Sequence, residues 1–213
     1  MYHWIHLLGV KPKKKQKDIK MKTLSKLFAF VMIAMLSVNA MAADKPTNKK
    51  KQIPQNQYLT AVEAHSLLKK DAAKVLFVDV RTPYEFIYVG STPMVDKNIP
   101  IVTISLKKWD KKKKRYARVL NKNFVANVEA ALKAKGLTKA DKIIFMCRSG
   151  KRSIYTSKLM AKAGYNNVAT IVDGFEGGKD KKFKHRITKS GWKNTCPAES
   201  WGYKNHKEKM YFQ

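Results

Sequence analysis

Four short apolar runs constrain this chain more than any other feature: "VLFVDV" (Val75 to Val80), "IVTIS" (Ile101 to Ser105), "IIFM" (Ile143 to Met146) and "VATIV" (Val168 to Val172). Each is apolar at successive positions and rich in β-branched residues, the pattern of a strand covered on both faces. Between them lie segments with helical spacing. Thr60-Ala-Val-Glu63 has the spacing of a capping box and predicts a helix running to about Lys70. "NFVANVEAALKAKG" (Asn123 to Gly136) places Phe124, Val125, Val128, Ala131 and Leu132 on one face and stops at a glycine. A third helix is predicted from about Ser153 to Ala163, stopped by Gly164. Strands alternating with helices predict an α/β fold with a largely parallel sheet.

A chain of 213 residues with 44% hydrophobic content suits one core, and a second full domain would be cramped. Residues 21–42 carry Lys22 and Lys26, then the apolar run Leu27 to Val38, then Ala40-Met41-Ala42, the order of a secretory signal peptide cleaved after about Ala42. The apolar stretch of 12 residues falls short of the roughly 20 that a spanning helix needs. A periplasmic or secreted location is therefore expected. Residues 1–20 read as an upstream extension, with translation expected to start at Met21. Residues 43–57 are polar with two prolines and read as a flexible linker, 58–178 as the domain, and 179–213 as a basic C-terminal extension draped over it.

The formal net charge is +30, from 45 Lys and Arg against 15 Asp and Glu. Such a surface attracts anions, anionic lipid or nucleic acid without a dedicated site. The basic runs Lys107 to Arg115 and Lys179 to Arg186 lie on no recognisable nucleic-acid reading element, so a solvated basic surface is the favoured reading, with an acidic protein partner possible and no specific nucleic acid expected. The oligomeric state is not legible. His65, His185 and His206 form no ligand spacing with a cysteine or carboxylate, and no metal site is expected.

The chemistry concentrates in "IIFMCRSGKRS" (Ile143 to Ser153), where a strand ends on Cys147 and the loop to Arg152 opens a helix. In open α/β sheets, ligands bind beyond the carboxyl ends of the strands. A helix start offers unpaired amides and the positive end of its dipole, which favour a thiolate and bound oxyanions. Arg148, Lys151 and Arg152 add formal charge. Ser149 and Gly150 suit a tight loop that leaves room for a substrate, and Ser153 is placed to cap the helix or to donate to the sulfur.

Together, "LFVDVRTPYEF" (Leu76 to Phe86), "IIFMCRSGKRS" and "VDGFEGG" (Val172 to Gly178) resemble the rhodanese family over roughly Leu59 to Gly178, most of the chain after Ala42. The resemblance implies a single rhodanese-like domain with a mostly parallel sheet of about five strands flanked by helices. It also implies sulfurtransferase activity through a Cys147 persulfide, with an anionic donor such as thiosulfate or a persulfide, a thiol or cyanide as acceptor, and no cofactor. Arg148, Ser149, Gly150, Lys151, Arg152 and Ser153 fall at substrate-binding loop positions, and Asp79, Arg81 and Glu85 at positions that support the site. The chain departs from the family in "VGSTPMVDKNIPI" (Val89 to Ile101), so the pocket wall on that side is not given by the resemblance, and in its long tail, where Trp192 and Trp201 are expected to be packing anchors.

Two other readings remain. A sulfur carrier or interaction module without turnover on thiosulfate would use the same residues. A Cys-dependent phosphatase resembles Cys-x5-Arg loops, whereas Cys147 to Arg152 is the tighter Cys-x4-Arg. Cys196 could form a disulfide with Cys147 in an oxidising compartment, resolve it, or pack as a free thiol.

Overall fold

The computed structural model describes residues 43–180, 182–186 and 189–212, and the expected upstream extension and signal peptide lie outside them. Among the described residues seven strands form: β1 (Gln57–Leu59), β2 (Val75–Asp79), β3 (Lys97–Asn98), β4 (Val102–Asp110), β5 (Arg115–Leu120), β6 (Lys142–Met146) and β7 (Val168–Ile171). Five of them make a sheet in the order β1-β7-β6-β2-β3, with every pairing parallel. The helices are α1 (Ala61–Asp71), α2 (Pro83–Tyr88), α3 (Phe124–Ala134), α4 (Lys151–Lys162) and the short α5 (Trp192–Thr195).

Because side chains alternate across a strand, β2 and β6 feed two apolar layers. Phe77, Ile144 and Met146 face the layer built with Ala64 and Leu68 of α1, Phe86 of α2 and Trp192 of α5. Leu76, Val78, Ile143 and Phe145 face the layer built with Phe124, Val128 and Leu132 of α3 and Met160 of α4. The helical residues in each layer recur at spacings of three or four, one face of each helix. The capping box at α1 forms as its spacing predicts: Thr60 Oγ1 accepts from the Glu63 amide at 3.2 Å, and Glu63 Oε2 accepts from the Thr60 amide at 2.6 Å.

The run at Ile101 to Ser105 departs from expectation. The main sheet takes the two-residue β3 at its edge instead, and past it the Ile99 and Ile101 amides still donate to Asp79 O and Val80 O before the chain leaves the sheet. Ile101 remains buried, while Val102 onward pairs antiparallel with β5, a strand the lysine run conceals in the sequence. The basic stretch Lys107 to Arg115 thus lies on a β-hairpin, with its lysines exposed.

Residues 43–57, expected to be flexible, also lie against the domain. The Ala43 amide donates to Tyr58 O, Ile53 is buried, and the Gln55 side-chain amide donates to Ser157 O and Tyr165 O. The tail packs in a similar way. Trp192 is fully buried, stacked on Phe77 at 5.4 Å, and its indole N–H donates to Ser200 O. Trp201 sits edge-on to Phe175 at 5.9 Å, and Gly202 bridges to Ser91. His65 of α1 packs edge-on against Trp192.

With Trp192 inside the core, the tail is part of the fold. Trp192→Ala should lower the stability of the Ala43–Gln213 chain by about 3–5 kcal/mol, read from urea unfolding. A loss under about 1 kcal/mol would show that the tail merely rests on a core complete without it.

Candidate functional site

Strand β6 runs through the middle of the sheet and delivers Cys147 at its carboxyl end, one residue past the last ladder bond, in which the Val80 amide donates to Met146 O at 2.8 Å. The loop from Cys147 to Arg152 then turns into α4. Its shape is imposed from beneath by the "VDGFEGG" segment. The amides of Phe175 and Glu176 donate to Cys147 O at 2.8 Å and Arg148 O at 2.9 Å. Gly174 makes that approach possible: at φ +68 its backbone suits glycine, and a Cβ there would lie 2.4 Å from Cys147 O. Gly150 is constrained in the same way, since at φ +81 an added Cβ would lie 2.1 Å from Val172 O.

With the first two carbonyls of the loop tied down, the amides that follow are left over. Among the described residues, none of the backbone amides from Ser149 to Ser153 donates to a protein acceptor. They are the unpaired donors of a helix start, and they give the loop a positive field suited to an anion. Gly150 occupies the N-cap position, so Ser153 does not cap the helix as it was placed to do. Instead its hydroxyl lies 3.7 Å from Cys147 Sγ and donates to Gly150 O at 3.0 Å. Cys147 is 1% exposed and shares an apolar layer with Val80, Ile101 and Phe124.

Two ion pairs brace this loop. Asp79 and Arg81 are fully buried, with Arg81 Nη2 and Asp79 Oδ2 2.7 Å apart. Arg81 also donates to Gly90 O at 2.8 Å, and its guanidinium lies 4.1 Å from the centre of the Phe175 ring. The Asn98 side-chain amide donates to both Asp79 O and Arg81 O, so β3 is tied to the same group. Phe175 therefore covers the buried pair with its ring while its amide holds Cys147 O.

The second pair joins Glu85 to Arg152 through two contacts of 2.6 Å each. Glu85 also completes a capping box at α2 with Thr82, whose Thr-x-x-Glu spacing is legible in the sequence. Burial pushes the Glu85 carboxyl up, but Arg152 and Thr82 prevail and bring it down to about 2. Arg152, expected to bind substrate, has both terminal nitrogens engaged by Glu85. Of the loop cations, Lys151 is exposed and Arg148 is 41% exposed with Glu176 at 3.9 Å, so these two are open to an incoming anion.

Two further arginines reach this field from outside the loop. Arg118 of β5 has its ionisation pushed down by burial and then by Arg115, Arg152 and Arg148. Arg186 is pushed down by burial and by Arg148, and its guanidinium donates to Gly177 O, beside Glu176. Arg118 follows one basic run and Arg186 ends the other, with no local signal that points to a site, and only the folded chain brings them close.

Cys196 lies elsewhere. It is a free thiol in the layer with Trp192 and Phe77, on the opposite face of the sheet from the layer that holds Cys147. Burial, helped by the Asp173 carboxylate, pushes it up to about 11.

A strand-ending cysteine, a short loop closed by a helix start and a braced floor define a rhodanese-like site. The sequence matches the Rhodanese-like domain over residues 60–181, and the chain belongs to this family, which is related to sulfur transfer. It is similar to the uncharacterized protein RP600 of Rickettsia prowazekii, 34% identical over 142 residues that cover 66% of this chain and 95% of that one. Uncharacterized protein RC0915 of Rickettsia conorii is 32% identical over 142 residues, with the same coverage of both chains. Among solved structures, Rv0390 from M. tuberculosis aligns with 25% identity and a TM-score of 0.49, over 69% of this chain and 97% of that one.

The Glu85 pair gives a pH signature. Its folded-state value of about 2 lies below the ordinary 4.5, so the stabilisation is full above about pH 4.5 and is lost as pH falls toward 2. Glu85→Gln should cost about 3 kcal/mol at pH 7, because it leaves Arg152 charged and unpaired, and much less near pH 2. Urea unfolding at both pH values checks this, and an equal loss at each would remove the ion pair as the cause.

Proposed function

We propose that the protein is a sulfurtransferase that works through a Cys147 persulfide. Cys147 Sγ attacks the sulfane sulfur of thiosulfate or of a small persulfide. As the new S–S bond forms, the donor's own bond to that sulfur breaks, and sulfite or a thiolate leaves with the electron pair. A thiophilic acceptor, such as cyanide, a low-molecular-weight thiol or a partner protein, then attacks the outer sulfur and regenerates the Cys147 thiolate.

The observation that carries this reading is the set of unpaired amides from Ser149 to Ser153 in the loop that Cys147 opens. They offer hydrogen bonds to negative sulfur before and after transfer, with no reorganisation of the loop. Arg148 and Lys151 are the cations open to hold an anionic donor, and Ser153 Oγ stands beside the reacting sulfur. The Cys-x4-Arg loop disfavours phosphate hydrolysis, since Arg152 is already committed to Glu85.

A second reading is a sulfur carrier that does not turn over thiosulfate. It is favoured by one observation, the near-complete burial of Cys147. A covered thiol exchanges sulfur most readily with a partner that opens the site on docking. In either reading we place the protein in the periplasm or outside the cell, on the strength of the signal-like residues 21–42.

Intact mass of the reduced Ala43–Gln213 protein, with and without thiosulfate, tests the proposal together with sulfite detection. One added sulfur atom with sulfite release, absent in Cys147→Ala, is the expected result. An adduct formed from a small persulfide but not from thiosulfate would remove thiosulfate as donor and leave a persulfide-fed transferase or carrier, and no adduct from either would overturn sulfur transfer at Cys147.

A further inference from the structure

Apart from Val102 at its base, which packs against the layer of Phe124 and Val128, the residues of the β4–β5 hairpin join neither apolar layer of the domain. In an antiparallel pair, directly opposed residues share a face. The register places Tyr116 opposite Trp109, Arg118 opposite Ile104 and Leu120 opposite Val102, with a shift between Ser105 and Trp109. The hairpin exposes large apolar side chains: Leu106 is 64% exposed, Trp109 and Tyr116 near the tip 56% and 48%, and Leu120 at the base 47%. Trp109 and Tyr116 lie in contact, and large apolar exposure of this kind marks a surface with a partner.

The same element is strongly basic. Between 102 and 120 it carries Lys107, Lys108, Lys111 to Lys114, Arg115 and Arg118, against Asp110 as its one acidic residue. A segment that combines Trp and Tyr with aliphatic residues and a cluster of lysines matches the chemistry of an anionic lipid interface. Amphipathic rings settle at headgroup level, leucine enters the acyl boundary, and lysines meet the lipid charge. Single-stranded nucleic acid fits less well. Trp109 and Tyr116 are packed edge-to-face at 5.4 Å and 88°, which offers no parallel stacking platform, and Leu106 and Leu120 have no counterpart on a phosphate backbone.

We propose that the β4–β5 hairpin is a membrane-docking element that seats Leu106, Trp109 and Tyr116 in an anionic phospholipid surface, with the lysines of its tip against the headgroups. The hairpin leaves the domain at Ile101, which shares an apolar layer with Cys147 and donates to Val80 O, so docking would hold the end of the domain that carries the Cys147 loop toward the lipid surface. The inference does not depend on sulfur transfer.

Among the described residues, all strands and both apolar layers lie within residues 57–210, so the Ala43–Gln213 chain carries them without the apolar run at Leu27 to Val38. Co-sedimentation of this chain with phosphatidylglycerol-containing vesicles, compared with phosphatidylcholine alone, is the test. Binding to the anionic vesicles only is expected. Leu106→Ser combined with Trp109→Ser keeps every charge and should weaken that binding by about tenfold or more, with cooperative unfolding retained because both side chains are more than half exposed and outside the two core layers. Replacing Lys111 to Lys114 by Gln should weaken it by at least a similar factor, about tenfold. Parent-like binding by the serine variant would mean that net charge alone is responsible and would overturn the proposal, as would no binding to anionic vesicles. Trp109-dependent binding to a single-stranded oligonucleotide in preference to vesicles would reassign the hairpin to nucleic acid, and so overturn it too.

Discussion

The hydrogen bonds from the Phe175 and Glu176 amides to the carbonyls of Cys147 and Arg148 are the constraint on which the site depends. They fix two carbonyls that would otherwise compete for the helix start, and they leave the following amides unpaired. A loop of six residues cannot satisfy both its own backbone and an anion, so an external segment takes up the carbonyls. That requirement explains Gly174, whose backbone passes too close to Cys147 O for any side chain. It also explains why the segment after β7 runs beneath the strand end and not away from it.

The charges around the site separate into two kinds. Asp79, Arg81, Glu85 and most of Arg152 are removed from water and matched in pairs, which makes them geometric fixtures. Such pairs offset a large desolvation cost and contribute little net stability as units, but breaking one strands a charge. Arg148, Lys151, Arg118 and Arg186 remain uncommitted or weakly paired, and they set the sign of the field that an approaching molecule meets. The fold thus places its matched charges behind the loop and its unmatched ones in front.

The parallel sheet, the helix faces and the Cys147 loop were legible in the sequence because each has a local signature. β2, β6 and β7 show as continuous β-branched runs, α1 by its capping box, and the loop by a strand ending on cysteine before a helical pattern. The hairpin was not legible. Its strand β5, "RYARVL", alternates as a strand should, but the lysines before it contain no glycine or asparagine turn signal, and the chain turns instead with Lys114 at φ 47. The packing of the lead-in at 43–57 was not legible for a different reason: polar composition marks exposure, yet Ile53 is buried and Ala43 and Gln55 hydrogen-bond to the domain.

What the sequence determined by itself was the family, the position of the thiol and the cationic character of its loop, since these depend on residue types in contiguous order. Tertiary structure alone decided how the charges divide. That Arg152 is spent on Glu85, 67 residues away, while Arg118 and Arg186 turn toward the same field from a hairpin and a tail, follows from long-range packing that no spacing encodes. The two cysteines teach the same lesson, because the end of β6 delivers Cys147 to one layer while α5 carries Cys196 into the layer on the other face of the sheet, which keeps apart two thiols that composition alone would invite to pair.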